Sequence, residues 1–377
     1  MQVMGAARRR EEAGHEILHL EVGQPSTSAP AAVIAAAHAA LENDRLGYTG
    51  ALGLPELRDR ISRWYRDRYG LLIPADRIAV TTGASGSCVL SFLALWDPGA
   101  NVGVIEPGYP CYRNDLEAFG INVVRIPVDA ATGFRPTTAD LDAAGPLDGL
   151  VLASPNNPTG TVLSQQHLAP LLKWCAAGGT QVIVDEIYHG LVFDQPAPSA
   201  LEFDQEVLVF NSFSKYFSMT GWRLGWVVAP EALVPAIERL AQNLTIAPPT
   251  LSQLAGLAAF DSLEECEANV GRYRRNRDSL LGALRQSGFS DIAPADGAFY
   301  VWVDISHTGK TASALCKEWL ETLNLAVTPG IDFDRERGES FVRLSIAGSE
   351  HDIVEAGERI KAWAAKDTAA AGSNEAR

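Results

Sequence analysis

Between residues 45 and 275, short apolar runs alternate with stretches of helical periodicity. The runs at 78–82, 101–105, 121–128, 149–154, 181–185, 207–211 and 224–229 predict strands, and the stretches near 54–69, 86–96, 111–119, 164–177 and 231–243 predict helices. Such alternation predicts an α/β fold, with a mainly parallel seven-stranded sheet between helices. The runs at 149–154 and 181–184 are almost purely apolar, as expected of strands covered on both faces. Past about residue 263 the pattern changes. A long charged helical stretch at 264–285 leads to alternating strands at 298–303 and 341–346, with helices near 311–322 and 350–364. Residues 1–40 carry one amphipathic helix and the turn Glu21–Pro25. The expected division is a large domain over 41–275, a smaller α+β domain built from 1–40 and 276–366, and a flexible tail over 367–377. A length of 377 residues has room for two domains at roughly 150 residues each.

Polar residues with chemical potential fall at or just after the strand ends, where α/β sheets bind ligands. Asp185 directly follows Val182-Ile183-Val184, which puts a carboxylate at the mouth of the sheet. Asn157 lies in the turn of the strand-to-turn run Val151–Gly160, and Pro158 restricts its backbone to extended conformations. The strand at 78–82 enters the turn that holds Ala84 and Ser85 before an apolar helix, and free amides at a helix start favour an anion. The run Ser212–Gly225 offers one lysine, Lys215, behind the hydroxyls of Ser212 and Ser214, with Arg223 eight residues further on. A lysine can bond covalently to an aldehyde, while hydroxyls and a guanidinium hold a phosphate. Arg343 lies among apolar neighbours on the alternating strand 341–346, a costly place unless it has a partner.

The order and spacing of Asn157, Asp185, Lys215, Gly221 and Arg223 closely resemble the class I/II aminotransferases, pyridoxal phosphate (PLP) enzymes of fold type I, over roughly residues 4–364. The resemblance implies that the larger domain binds PLP and that Lys215 holds the cofactor and moves the substrate proton. It implies that Asp185 keeps the pyridine nitrogen protonated, that Asn157 and Tyr188 bond the 3′ oxygen, and that Tyr109 stacks on the ring. Ala84, Ser85, Ser212 and Arg223 would hold the phosphate, with Tyr48 reaching it from the partner subunit of a homodimer. Arg343 would clamp the substrate α-carboxylate, a task its planar fork suits, and Gly23 belongs to the loop that closes over that carboxylate. Catalysis thus falls to Lys215, Asp185 and Tyr188, and substrate binding to Gly23, Asn157 and Arg343.

Composition narrows the partners. Asp and Glu number 46 against 31 Lys and Arg, which argues against nucleic acid and anionic membrane surfaces. No apolar run reaches the ~18 residues of a membrane span. The basic stretch Arg8–Arg10 has no apolar core after it, so it is not read as a secretory signal. Five scattered cysteines without CxxC spacing fit reduced thiols in a cytoplasm, and seven histidines show no ligand cluster, so no metal is expected. Cys111 reads as a small packing residue, Glu186 as a solvated strand-end acid and His189 as a loop residue.

Two rival functions are carried. A β-lyase acting on a carbon–sulfur bond would use the same cofactor and the same motifs. A sensor domain of a transcription factor would carry an added DNA-binding domain ahead of this pattern, which here starts at once, on an acidic chain. The resemblance implies an L-amino acid and a 2-oxo acid as substrates. The stretches Ser26–Ala29 and Thr245–Pro249 are small and polar or apolar, and no second arginine is placed for a distal carboxylate. Both points favour neutral or aromatic donors.

Overall fold

The structure is a computed structural model that describes residues 2–375, with side chains described over 3–366. A short strand β1 (Leu18–His19) precedes the strands of the large sheet: β2 (Ile78–Thr81), β3 (Asn101–Glu106), β4 (Asn122–Pro127), β5 (Gly149–Ala153), β6 (Gln181–Asp185), β7 (Leu208–Ser212) and β8 (Gly225–Val228). Their order across the sheet is β2-β8-β7-β6-β5-β3-β4. The ladders from β7 through β4 are parallel, while β8 runs antiparallel to both its neighbours. The expected mainly parallel seven-stranded sheet is therefore present.

Strand alternation explains the purely apolar runs. Leu150, Leu152, Val182, Val184, Val209 and Val228 pack into one core cluster. Val151, Ile183, Leu208, Phe210 and Val227 pack into a second. Successive side chains of a strand point to opposite faces, so both faces of this sheet are covered and neither can carry polar residues.

After the long helix Leu263–Gln286 come β9 (Tyr300–Asp304), β10 (Leu325–Ala326), β11 (Thr328–Pro329) and β12 (Phe341–Ser345). The order β11-β12-β9 makes a three-stranded antiparallel sheet, and β10 pairs in parallel with β1. The two chain ends thus meet through β1 and β10. The final helix Glu350–Glu375 packs along Leu263–Gln286. It continues beyond residue 366, and the side chains of the expected tail at 367–377 lie outside the described residues.

Several elements depart from the sequence expectation. Residues 2–43 hold two helices, Gln2–Glu12 and Ala31–Asn43, where the sequence predicts one over 1–40. The second is mostly alanine and lacks a side-chain cap, so its local signal is poor; it is held by packing against Thr250–Ala259, a helix also missed. The helix Thr138–Ala144 escaped notice because it has only seven residues, although Thr137 and Asp140 close a capping box. The helix after β2 starts at Gly83, so Ala84 and Ser85 lie in its first turn and not ahead of it.

Candidate active site

The carboxyl edge of the large sheet gathers the candidate residues. Asp185 is the last residue of β6, and the chain leaves β5 toward Asn157 and β3 toward Tyr109. Thr81 ends β2 just before Ala84, and Ser212 ends β7 just before Lys215. The reversed strand β8 begins at this same edge, with Gly225 in register with both Thr81 and Ser212. That reversal delivers Arg223, which precedes its strand, to an edge where the other residues follow theirs.

A cavity of about 310 Å³ opens there. Gly23, Ala84, Ser85, Tyr109, Asn157, Asp185, Tyr188, Lys215, Arg223 and Arg343 all line it. Two expected residues do not. The Ser212 hydroxyl is buried behind the wall, bonded to Ser214 Oγ at 2.8 Å and donating to the Leu224 carbonyl at 3.1 Å; Ser214 lines the cavity in its place. Tyr48 is 84% exposed and stands outside the cavity. Sequence reasoning also missed Tyr112, Tyr300 and Thr328. Tyr112 sat unremarked one helical turn past Tyr109, and Tyr300 reads as a core position of an alternating strand.

One end of the cavity suits an anion. The helix Gly83–Leu95 has no side-chain cap, which leaves its first amides without intrahelical partners. Arg223 adopts φ 52° and donates through Nη1 to the Thr220 carbonyl at 3.0 Å. Gly83 has φ +76°, and a Cβ there would come within 2.7 Å of Arg223 Nη2. Glycine is what lets the guanidinium lie against the helix start. Uncapped amides, the Ser85 hydroxyl and a guanidinium are the donor set for a phosphate.

The floor is set by Asp185, which is buried. Burial pushes its carboxyl up to about 6, against the opposing pull of the Tyr112 hydroxyl, the Ile187 amide and the Lys215 charge. Tyr112 Oη donates to Oδ2, and the Ile187 N–H donates to Oδ1 at 2.9 Å. Such a carboxylate is ready to pair with a cationic ring nitrogen, which would bring its proton affinity back down. Lys215 donates from Nζ to the Gly23 carbonyl at 2.7 Å. Burial, joined by the charges of Arg343 and Arg223 and opposed by that of Asp185, lowers its ammonium to about 8. A lysine near neutrality is nucleophilic at physiological pH.

The opposite end is built around Arg343. Nη1 donates to Asn157 Oδ1 at 2.9 Å, and Nη2 donates to the Glu21 carbonyl at 2.7 Å and to Thr328 Oγ1 at 3.4 Å. Its Nε is buried without a partner. No acidic side chain forms an ion pair with it among the described residues. The expected cost of a buried arginine is thus met by neutral acceptors, which leaves its charge for a ligand carboxylate.

Glu186, expected at a solvated strand end, is buried instead. It accepts from Ser199 Oγ at 3.0 Å and from the Ala200 amide at 2.8 Å, and burial raises it to about 8. His189 is also buried, with Nδ1 2.8 Å from the Tyr69 hydroxyl, and burial lowers it to about 3. Cys111 is part of the cavity wall.

The model of the family described as "Aminotransferase class I and II" matches residues 15–360. The chain belongs to this family. The valine–pyruvate aminotransferase of Mycobacterium tuberculosis is 47% identical over 371 residues, covering 96% of this chain and 95% of the relative. The arginine–pyruvate transaminase of Pseudomonas aeruginosa is 34% identical over 367 residues, covering 96% and 93%. A crystal structure of an aminotransferase from Mycobacterium tuberculosis superposes with a TM-score of 0.95 at 46% identity, covering 97% of this chain and 96% of that one.

This aminotransferase uses PLP to transfer an amino group between an amino acid and a 2-oxo acid. The residues present fit that cofactor: an anion cup at one end, a carboxylate on the floor, a lysine of lowered proton affinity, and an Asn157 whose Oδ1 is occupied by Arg343 while its Nδ2 can donate. When bound, PLP supplies an electron sink that makes the substrate Cα–H acidic. The chain's own residues do the rest. Arg343 can orient a carboxylate, Lys215 Nζ can take and return a proton within the cavity, and Asp185 can hold a proton on a ring nitrogen.

Proposed function

We propose that the amino donor is an L-amino acid with a neutral aliphatic or aromatic side chain, and that the acceptor is a small 2-oxo acid such as pyruvate. The observation that carries this reading is the charge of the cavity wall. Its two arginines stand at separate ends, Arg223 beside the helix start and Arg343 beside Asn157, and each has a task. Among the described lining residues no further arginine is left for a second carboxylate on the side chain. The likeness to a relative named for valine and pyruvate supports the same class.

In this reading Lys215, Asp185 and Tyr188 are the catalytic set. Ala84, Ser85, Tyr109, Asn157, Ser214 and Arg223 hold the cofactor, with Ser212 behind the wall supporting Ser214, and Gly23, Asn157 and Arg343 hold the substrate. The enzyme is a cytoplasmic homodimer divided into a domain over 41–275 and a smaller one from 1–40 and 276–366. Tyr48 completes the phosphate site of the neighbouring subunit; its exposure in a single chain is what such a residue requires. No helix among the described residues is long and apolar enough to cross a membrane.

A half-reaction panel tests the donor class. Holoenzyme mixed with valine, phenylalanine, alanine or aspartate should lose its visible cofactor band fastest with the neutral donors, by about 10-fold or more over aspartate. A preference for aspartate would sink the reading. Mixing Lys215→Ala subunits with Tyr48→Phe subunits should restore one intact site per heterodimer, and full activity of a sedimenting monomer would refute the shared site.

A further inference from the structure

Tyr300 is the residue through which three parts of the site touch. It lies on β9, lines the cavity, and is buried. Its hydroxyl is 2.8 Å from the Tyr188 hydroxyl. The Arg343 guanidinium lies 4.3 Å from the centroid of its ring. Its hydroxyl also occupies the space beside Gly23, where an added Cβ would come within 2.2 Å of Oη and 3.2 Å of Cζ. The next strand supports the arrangement, because Tyr300 pairs in register with Ser345 and Arg343 with Trp302.

We propose that Tyr300 is a positioning residue that sets the glycine loop, the carboxylate-binding arginine and the Tyr188 phenol in one geometry. The proposal rests on the reading of Arg343 as the carboxylate clamp. Each contact has a separate physical role. The ring face holds the guanidinium flat through its negative π cloud, so the fork is oriented before a substrate arrives. The hydroxyl is the donor in the tyrosine pair: if Tyr188 gives its own proton to the cofactor oxygen, its lone pair must accept from Tyr300. The space occupied by that same hydroxyl is why residue 23 has no side chain. Only glycine lets the loop carbonyl reach Lys215 Nζ while the phenol stays in place.

The roles separate by mutation. Tyr300→Phe keeps the ring and removes the hydroxyl. Measured without any donor, the pH midpoint of the holoenzyme's visible absorbance should move upward, because Tyr188 becomes a weaker donor to the cofactor oxygen. An unmoved midpoint would overturn the hydroxyl role. Gly23→Ala should raise the donor KM by about 10-fold or more, since the loop must lift away from Tyr300. The double variant Gly23→Ala, Tyr300→Phe should recover most of that loss, because the atom at 2.2 Å is gone. A double variant no better than Gly23→Ala alone would overturn the steric coupling.

Tyr300→Leu, which removes the buried ring, should lower the apoenzyme unfolding temperature and, assayed well below that temperature, should raise the donor KM above that of Tyr300→Phe. A donor KM unchanged in Tyr300→Leu would overturn the support of Arg343. Arg343→Lys run in parallel keeps the two readings apart. If it leaves the donor KM unchanged, the carboxylate clamp itself fails. If it raises the donor KM but Tyr300 variants do not, only the Tyr300 proposal fails.

Discussion

Arg343 and Asn157 are joined by a hydrogen bond of 2.9 Å from Nη1 to Oδ1, although 186 positions separate them in the chain. Asn157 follows β5 of the large sheet, and Arg343 belongs to β12 of the antiparallel sheet formed after residue 299. Together with the Tyr188–Tyr300 hydroxyl pair, this bond ties the two sheets together at the cavity. It also spends the asparagine's acceptor on the arginine, so the asparagine's donor is what remains for a ligand.

Replacing Arg343 with lysine keeps the charge and loses the fork. The donor KM should rise by at least about 10-fold, as should that of the 2-oxo acid, which carries the same carboxylate. Cofactor retention after dialysis should change little. A variant that sheds PLP yet binds amino acids normally would place Arg343 at the phosphate instead.

Borohydride reduction of the holoenzyme followed by peptide mapping should put the pyridoxyl label on Lys215. The lowered proton affinity of this lysine adds a kinetic expectation. The rate at which apoenzyme captures PLP should climb with pH and level off above about 8, where the amine is already neutral. A rate that keeps climbing toward pH 10.5, the ordinary lysine value, would contradict the burial argument.

Asp185→Asn preserves size and removes the charge. Turnover should fall by about 10²-fold or more, whereas PLP affinity should fall much less, because the phosphate end is untouched. For wild type, burial raises the carboxyl to about 6 in the unliganded protein. The cofactor's cationic nitrogen needs the ionised form, so PLP affinity should weaken as pH drops through about 6. Titration of apoenzyme with PLP between pH 5 and 8 checks the direction, and near wild-type turnover in Asp185→Asn would remove the residue from the mechanism.

His19 offers a pH test of stability at the loop that carries Gly23. Its Nδ1 bonds Glu21 at 2.8 Å and its Nε2 bonds Glu11 at 2.9 Å. The Glu21 bond is the largest influence, and together with Glu11 it outweighs burial and raises the imidazole to about 9. A raised value means that the folded state binds the proton more tightly than the unfolded chain. The stabilisation is therefore fully present below about 6.5 and lost as pH rises through about 9. The melting temperature of wild type should exceed that of His19→Gln at pH 6, and the gap should close near pH 10. An equal gap at both values would show that the contacts act without the charge.

The sequence alone determined the seven strands of the large sheet, because strands buried on both faces must be apolar throughout and leave a local signature. It also located Asp185 and Lys215, because each stands at or just past the end of a parallel strand and that edge is shared by all the parallel strands; Arg223 was legible only through its spacing from Lys215, and the reversal of β8 is what brings it to the same edge. The tertiary structure decided what local pattern could not carry. Helix Ala31–Asn43 exists through its packing on Thr250–Ala259, not through its own caps. Glu186 looked solvated because its partners, Ser199 and Ala200, are supplied by a turn more than ten residues away. Ser212 and Ser214 are equivalent in a linear reading, but Ser212 ends β7 and only Ser214, in the turn after it, reaches the cavity wall. Tyr300 is an ordinary core tyrosine until β12 brings Arg343 over its ring and the amino-terminal loop brings Gly23 against its hydroxyl. Contacts between segments hundreds of residues apart depend on how the sheets are placed in space, and no periodicity within either segment encodes them.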